Sequence, residues 1–79
     1  MPKIKQLSGK DVVKILQQFG VEIHSQKGSD IKLRTITETG KEILTIPNHK
    51  SLDLGTCQAI FKQACKYLLE TDLYKYFYH

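Results

Sequence analysis

The residues best suited to bind an anion lie in one short stretch, residues 26–34. Its Lys27-Gly28-Ser29 run is typical of a tight turn, because glycine accepts positive φ and serine can hydrogen-bond the local backbone. From residue 30 onward polar and apolar side chains alternate, as in a half-buried strand. Ile31 and Leu33 then face one side, and the other side carries a carboxylate and two cations: Asp30, Lys32 and Arg34. This pattern predicts a surface for a polyanion.

Other basic residues lie close to that strand. Lys41 lies in the turn after this strand, Lys50 lies in the loop after the third predicted strand, and Lys27 precedes the strand itself. Such a group can hold phosphates, and its binding would then weaken steeply with salt. The same residues could equally form a solvated surface that keeps the protein soluble. The amino-acid types alone leave both interpretations open.

The composition is that of one small, mildly basic domain, predicted to span residues 1–79. The chain has a formal net charge of +4 and a hydrophobic content of 41%, which suffices for one small core. The charge favours an anionic partner, either nucleic acid or an acidic protein. No apolar run reaches the roughly 20 residues that cross a bilayer, and the start lacks a signal-peptide pattern. We therefore expect no membrane partner and a cytoplasmic location.

The two cysteines, Cys57 and Cys65, are predicted to be reduced. They are eight residues apart in a helical pattern, which separates them by roughly 12 Å along the helix axis, too far for a disulfide. No spacing of histidine and cysteine supports a metal site. We expect neither a metal nor another cofactor.

Helical periodicity predicts a helix on each side of the strands. The first begins at a capping box formed by Ser8 and Asp11 and stops at Gly20. The second begins at Thr56, a good N-cap, and Asp72 can cap a short last helix in an aromatic tail. Such aromatic residues more often close a small core or a dimer interface than stack on bases. The predicted bounds are 8–19 and 56–70 for the helices and 71–79 for the tail.

Alternating side chains predict three strands joined by short turns. In the first, Val21 and Ile23 face inward and the polar side chains face outward: Glu22, His24 and Gln26. The turn Glu38-Thr39-Gly40-Lys41 leads into the last strand, which Pro47 stops. The predicted bounds are 21–26, 30–37 and 42–46. Short connections make the strands an antiparallel meander, and both helices should cover its single apolar face.

Several short motifs, in this order, resemble the HicA (YcfA-like) toxin family. They are Gln26-Lys27-Gly28-Ser29 before the second strand, Thr45-Ile46-Pro47-Asn48-His49 after the third, and Gly55-Thr56, Ile60 and Gln63-Ala64 in the second helix. Each motif is weakly specific alone, but their shared order covers about residues 7–69. Cys65 stands where the family often has glycine, so the second helix is predicted to run longer than usual.

The resemblance implies a fold and an activity. The fold is α+β, like that of double-stranded-RNA-binding domains: α-β-β-β-α, with a three-stranded antiparallel sheet, both helices on one face and here an extra C-terminal helical tail. HicA-like proteins are mRNA interferases, endoribonucleases that cut RNA without the ribosome and, as we expect here, without a metal. The implied partners are RNA, in particular mRNA, and a HicB-like antitoxin protein, with no small-molecule cofactor.

The sequence departs from the family at one important position. The family run is Gly-Ser-His, and its histidine is regarded as catalytic, whereas here the run is Gly28-Ser29-Asp30. The second family histidine, two residues after the proline, matches His49. The resemblance implies catalytic roles at the positions of Asp30 and His49, and the strand pattern adds His24 as a possible site residue, because it is predicted to face outward beside them. The turn and the basic residues around the outer face predict RNA contacts at Lys27, Gly28, Ser29, Lys32, Arg34, Lys41 and Lys50.

Asp30 leaves the chemistry open. A histidine can transfer protons at neutral pH, whereas an exposed aspartate is a weak base and repels phosphate. Asp30 could therefore mean a less active enzyme, a different division of acid and base roles with His49 or His24, or an RNA-binding module that does not cut. It could also only pair with Lys27 or Lys32 on a solvated face. A protein-interaction module with an acidic partner is a further alternative.

Overall fold

Three helices and one three-stranded sheet form the part of the chain that the structure describes. The structure is a computed structural model that describes residues 3–38 and 40–79, apart from the side chain of Lys27. In chain order the elements are α1 (Gly9–Gln17), β1 (Glu22–Lys27), β2 (Asp30–Thr37), β3 (Gly40–Pro47), α2 (Leu54–Ala64) and α3 (Glu70–Phe77). The strands lie in the order β1-β2-β3, and both pairs are antiparallel. The predicted α+β meander is confirmed. None of the helices in the described residues has the length and apolar character to span a bilayer.

α1 begins where the capping box predicts. The Ser8 hydroxyl accepts a hydrogen bond from the Asp11 backbone N–H at 3.0 Å, and the Asp11 carboxylate accepts one from the Ser8 backbone N–H at 3.1 Å. Both N–H groups would otherwise lack an intrahelical partner. Gly20 follows the helix with a φ of 87°, which glycine adopts at little cost, and the chain turns there into β1.

Replacing Ser8 with alanine is expected to lower the free energy of unfolding by about 1 kcal/mol at neutral pH. The capping box also holds the pKa of Asp11 below its ordinary value near 3.8, first through the Ser8 backbone N–H and then through the Ser8 side chain. A carboxylate with a lowered folded-state pKa stabilises the fold above its unfolded pKa, and this stabilisation is lost as the pH falls through the lowered value. Alanine keeps the backbone N–H and removes only the side-chain contribution, so urea denaturation should show a slightly smaller difference between the two proteins near pH 2 than at neutral pH. Equal differences at both would contradict this account.

One face of the sheet carries the hydrophobic core. Alternate residues of β2 and β3 are buried on this face: Ile31, Leu33, Leu44 and Ile46. Side chains from α1 and α2, among them Leu16 and Ile60, belong to the same buried cluster. Both helices therefore cover this face, as predicted. We call the opposite face, which carries Lys32, Arg34, Ile36, Lys41, Ile43 and Thr45, the open face.

β1 contains a bulge at His24 that the sequence pattern did not predict. Ile23 pairs with Leu33 and Ser25 pairs with Lys32, so His24 is an extra residue between the two pairs. In such a bulge two residues of one strand lie opposite one residue of the other, and the regular alternation of side chains shifts by one residue.

One prediction for β1 is wrong as a result. Gln26, predicted to face outward, lies opposite the core residue Ile31, although it remains exposed. Ile23 lies opposite the core residue Leu33, on the predicted inward side, yet it is 47% exposed. β1 is an edge strand of the described sheet, which explains this exposure.

β3 begins earlier than predicted. Thr39, in the predicted hairpin turn, lies outside the described residues. Gly40 has a φ of 130° and already pairs with Thr37, so the strand starts two residues before the predicted Glu42. A residue with a side chain rarely adopts this φ, which is why glycine suits the strand entry.

α2 begins and ends earlier than predicted. Its N-cap is Asp53, which makes no side-chain capping hydrogen bond, and not Thr56. The helix ends at Ala64, so the expected extension through Cys65 is wrong. The chain turns after Ala64 because α3 has a buried stripe of its own that must reach the same core.

α3 closes the core, which is one of the two roles that the sequence favoured for the aromatic tail. Leu73 and Phe77 are fully buried, and the Phe77 ring centroid lies 5.4 Å from that of Phe61 on α2. Tyr78 forms an isolated antiparallel bridge with Ile4. The C-terminal residues are therefore part of the folded unit.

Candidate functional site

The open face carries two of the predicted basic residues on its central strand. Lys32 is exposed and lies opposite Thr45 of β3. Arg34 follows two residues later, opposite Ile43. Lys32 is exposed and Arg34 is half-buried with its side chain 33% exposed, so both cations can meet a ligand that lies across the sheet.

Arg34 is partly neutralised. Its guanidinium donates to the carboxylate of Glu22, its cross-strand neighbour on β1, at 3.4 Å. The Arg34 side chain remains 33% exposed and that of Glu22 72% exposed. Ion pairs this exposed contribute little to stability. An incoming phosphate could therefore compete with Glu22 for the guanidinium.

The open face is less uniformly polar than predicted. Ile36 is 75% exposed and Ile43 is 42% exposed. Ile36 lies opposite Lys41, and Ile43 lies opposite Arg34, so apolar and basic side chains alternate here. The strand pattern could have shown this, because Ile36 has the same parity as Lys32 and Arg34.

The β1–β2 turn and the loop after β3 meet at one end of the open face. Asp30 pairs with Pro47, and the Asn48 backbone N–H donates to the Ser29 carbonyl at 2.7 Å. Gly28, with a φ of 62°, provides the tight turn that precedes them. Asp30 and the segment that carries His49 therefore lie at the same end of the sheet.

Two further backbone hydrogen bonds fix the loop that carries His49. The Gly9 N–H donates to the His49 carbonyl at 2.9 Å, and the Leu52 N–H donates to the Leu7 carbonyl at 2.8 Å. The main chain is thus held to α1 and to the segment before it, while the His49 side chain stays exposed. An exposed imidazole on a fixed backbone suits contact with a ligand.

Gly9 permits this close approach. A Cβ atom at Gly9 would overlap the carbonyl oxygen of Pro47 and lie 3.1 Å from the Asn48 Cα. The loop can therefore lie against the first turn of α1 only because this residue is glycine. Sequence reasoning missed this role, since a glycine inside a capping box gives no sign of what packs against it.

His24 lies on β1 at some distance from Asp30. The bulge places it next to Ser25, opposite Lys32, and the residue is exposed. It precedes Lys27, the pairing partner of Asp30, by three residues, which corresponds to about 10 Å along the strand. His24 therefore lies beside the open face, away from the end of the sheet where Asp30 and His49 lie.

Lys41 is the predicted site residue farthest from His49. It lies at the start of β3, six residues before Pro47, which corresponds to about 20 Å along the strand. Lys50, by contrast, directly follows His49. The predicted cations thus follow the length of the open face and do not converge on one point. The side chain of Lys27 lies outside the described part of the molecule.

Neither cysteine is suited to nucleophilic chemistry. Both thiols are free, as predicted, and Cys57 is buried. Burial raises the pKa of the Cys65 thiol, and the nearby Glu70 carboxylate raises it further. A thiol with a raised pKa is protonated at neutral pH and therefore a weak nucleophile.

A cavity that the sequence did not indicate lies beside His49. Its volume is about 400 Å³, and it is lined by Ser8, Lys10, Asn48, His49 and Lys50. Lys10 was not among the predicted site residues, because on the sequence it is only an exposed residue of the first helix. Its proximity to His49 depends on the contact at Gly9.

A comparison with family models supports the resemblance seen in the motifs. The model of the HicA toxin of bacterial toxin-antitoxin systems matches residues 9–65. No curated protein and no solved structure matches the chain. The matched segment runs from α1 through α2 and includes both Asp30 and His49, while α3 lies beyond it. A family of toxin–antitoxin systems also implies an antitoxin partner. Since the match covers well over half of the chain, this protein belongs to the HicA family of bacterial toxins.

Proposed function

We propose that this toxin is an mRNA interferase, an endoribonuclease that binds RNA along the open face and cuts it at the end where Asp30 and His49 lie. The observation that carries the proposal is the 2.7 Å hydrogen bond from the Asn48 N–H to the Ser29 carbonyl. It holds the loop with His49 against the turn that precedes Asp30. The substrate implies that the protein acts in the cytoplasm.

The reaction requires two proton transfers. A base removes the proton of the ribose 2′-OH, the 2′-oxygen attacks phosphorus, and an acid protonates the 5′-oxygen as its bond to phosphorus breaks. Cations stabilise the negative charge that builds up on the phosphate oxygens. His49 can serve as acid or base near neutral pH, Asp30 can accept a proton, and Lys32 and Lys50 provide positive charge near them.

The direct test is cleavage of RNA by the purified protein and in the cell. Induction of the wild-type toxin in a bacterium should stop growth, and its mRNA should be cut without dependence on translation. Purified protein should produce fragments that end in a cyclic phosphate, as expected for attack by the 2′-oxygen. Normal growth and intact RNA after induction would argue against the proposal.

Replacing Asp30 with histidine is expected to raise the cleavage rate by at least about tenfold. An imidazole near pH 7 accepts and donates protons far better than an exposed carboxylate, and a well-placed acid or base contributes about 10²–10⁴-fold. The side chain of residue 30 is exposed at the end of β2, so the exchange should not disturb the core. Initial rates on a fluorescent RNA provide the measurement. An unchanged rate in a folded variant would exclude residue 30 from proton transfer, and a lower rate would mean that the carboxylate itself takes part in the reaction.

A second function is favoured specifically by Asp30. If the carboxylate cannot replace the family histidine, the protein binds RNA in a salt-sensitive manner and releases no fragments. The histidine variant at position 30 would then gain cleavage that the wild type lacks entirely. A protein that never binds RNA but binds an acidic protein would instead be an interaction module.

The antitoxin that this family implies is expected to be a HicB-like protein. A small HicB-like reading frame beside the gene would support this pairing. Co-expression with that protein should restore growth. A pull-down that recovers protein but never RNA would favour the interaction module over both RNA-binding functions.

A further inference from the structure

The cavity beside His49 has a positively charged wall. Two exposed lysines, Lys10 of α1 and Lys50 of the loop, line it together with Ser8, Asn48 and His49. Within residues 3–38 and 40–79, neither ammonium group is in an ion pair, since Arg34–Glu22 is the ion pair that these residues form. The nearby carboxylate of Asp11 is engaged by the backbone of Ser8. Two cations beside a histidine are thus free to bind an anion.

Lys10 is not explained by the stability of α1. It lies in the first turn of the helix, where the positive end of the helix dipole disfavours a cation. The preferred residues at this position are acidic. A lysine held there at some electrostatic cost, in a cavity with a second lysine, points to a ligand that carries negative charge.

The cavity and the proposed cleavage site share His49. The backbone of this residue is fixed to α1 by the Gly9 hydrogen bond at 2.9 Å, so Lys10 and the His49 loop keep their relative position. An RNA strand whose scissile phosphate meets His49 would carry its neighbouring phosphate past this wall. The volume of about 400 Å³ accommodates a phosphate with its attached ribose.

We infer that this cavity is a second phosphate subsite, in which Lys10 and Lys50 bind the RNA phosphate next to the one that is cut. The inference rests on the proposed function for the identity of the strand. It assigns to Lys10 a part in RNA binding and none in proton transfer.

The test is a binding titration that does not depend on cleavage. RNA with 2′-O-methyl riboses lacks the attacking hydroxyl, so the affinity of wild type, Lys10→Ala and Lys62→Ala can be measured at several salt concentrations. Lys62→Ala is the matched control, because Lys62 is also an exposed lysine on a helix but lies on α2 and lines a different cavity with Phe61 and Glu70. The Lys10→Ala variant should remain folded, since it removes an unfavourable interaction between the lysine and the helix dipole.

The expected result is a change in salt dependence for one variant only. Lys10→Ala should reduce the magnitude of the slope of log affinity against log salt by about 0.7, the value for one phosphate on a single strand. The ratio of wild-type affinity to Lys10→Ala affinity should therefore be about fivefold larger at 0.1 M than at 1 M salt. Lys62→Ala should leave the slope unchanged. Equal effects of both variants would mean that only net charge matters and would overturn the inference.

A second measurement locates the phosphate. Each phosphate of the RNA is replaced in turn by an uncharged methylphosphonate, and the replacement that weakens wild-type binding but not Lys10→Ala binding identifies the group in the cavity. It should be adjacent to the linkage that the active protein cuts. If wild type binds RNA but never cuts it, the proposed catalysis fails while a Lys10-dependent phosphate still supports the subsite. If wild type binds no RNA at all, both proposals fall.

Discussion

Replacing His49 with alanine is expected to lower the rate of RNA cleavage by about 10²–10⁴-fold, the contribution of a positioned acid or base. The imidazole is exposed at the end of the open face, beside the turn that leads to Asp30. Its removal leaves Asp30 without the second proton-transfer group that the proposed reaction requires. Initial rates on a fluorescent RNA, together with growth after induction, provide the measurement.

The fold should survive this change. The backbone carbonyl of His49, and not its side chain, accepts the hydrogen bond from the Gly9 N–H, so alanine retains it. Exposed substitutions of this kind usually alter stability by less than about 0.5 kcal/mol. His79→Ala is the matched control, because this second exposed histidine also bonds to the rest of the chain through its backbone, to Lys3. Full activity of folded His49→Ala protein would exclude His49 from the reaction.

The local features of this fold could be predicted because they depend on residues close in the chain. Ser8 and Asp11 form the capping box that their spacing indicates. Residues 30–37 form β2 with the predicted bounds, since an alternating run with β-branched residues has few other stable states. The turn before β2 carries its glycine with positive φ where the pattern requires it.

The errors arise where contacts distant in sequence decide the outcome. The bulge at His24 is a property of the pair β1–β2 and not of β1 alone. Asp53, the observed N-cap, ranks above Thr56 by type, but the choice between two capping residues three positions apart depends on where the preceding loop is held. α2 starts at Leu54, just after the backbone hydrogen bond between Leu52 and Leu7.

The candidate site was only partly predictable for the same reason. Resemblance to the family pointed to Asp30 and His49, and an antiparallel meander with short turns puts the start of its second strand beside the end of its third. The contact between Gly9 and Pro47, which brings Lys10 to the His49 loop, joins residues at opposite ends of the segment from α1 to β3. Nothing in the types of these residues indicates that contact.

Gly9→Ala is expected to lower the free energy of unfolding by about 1–3 kcal/mol, the usual cost of forcing extra atoms into a closely packed site. Helix propensity alone predicts the opposite sign, because alanine is favoured over glycine inside a helix by up to about 1 kcal/mol. The added methyl group would overlap the Pro47 carbonyl oxygen and press on the Asn48 Cα at 3.1 Å. Both are backbone atoms, which cannot swing aside as a side chain can, so the steric cost outweighs the propensity.

Gly55→Ala provides a control with the opposite expected sign. Gly55 also lies in the first turn of a helix, but among the described residues nothing beyond its chain neighbours and its own helix backbone lies within 4 Å of a Cβ built there. This variant should be as stable as the wild type or more stable by up to about 1 kcal/mol. Urea denaturation of both variants gives the comparison. Because the overlap at Gly9 pushes the His49 loop away from α1, the folded Gly9→Ala protein should also cut RNA more slowly than wild type, whereas Gly55→Ala should not. Equal stability and equal activity of the two variants would show that the loop does not depend on Gly9, and the fixed position of His49 would lose its physical cause.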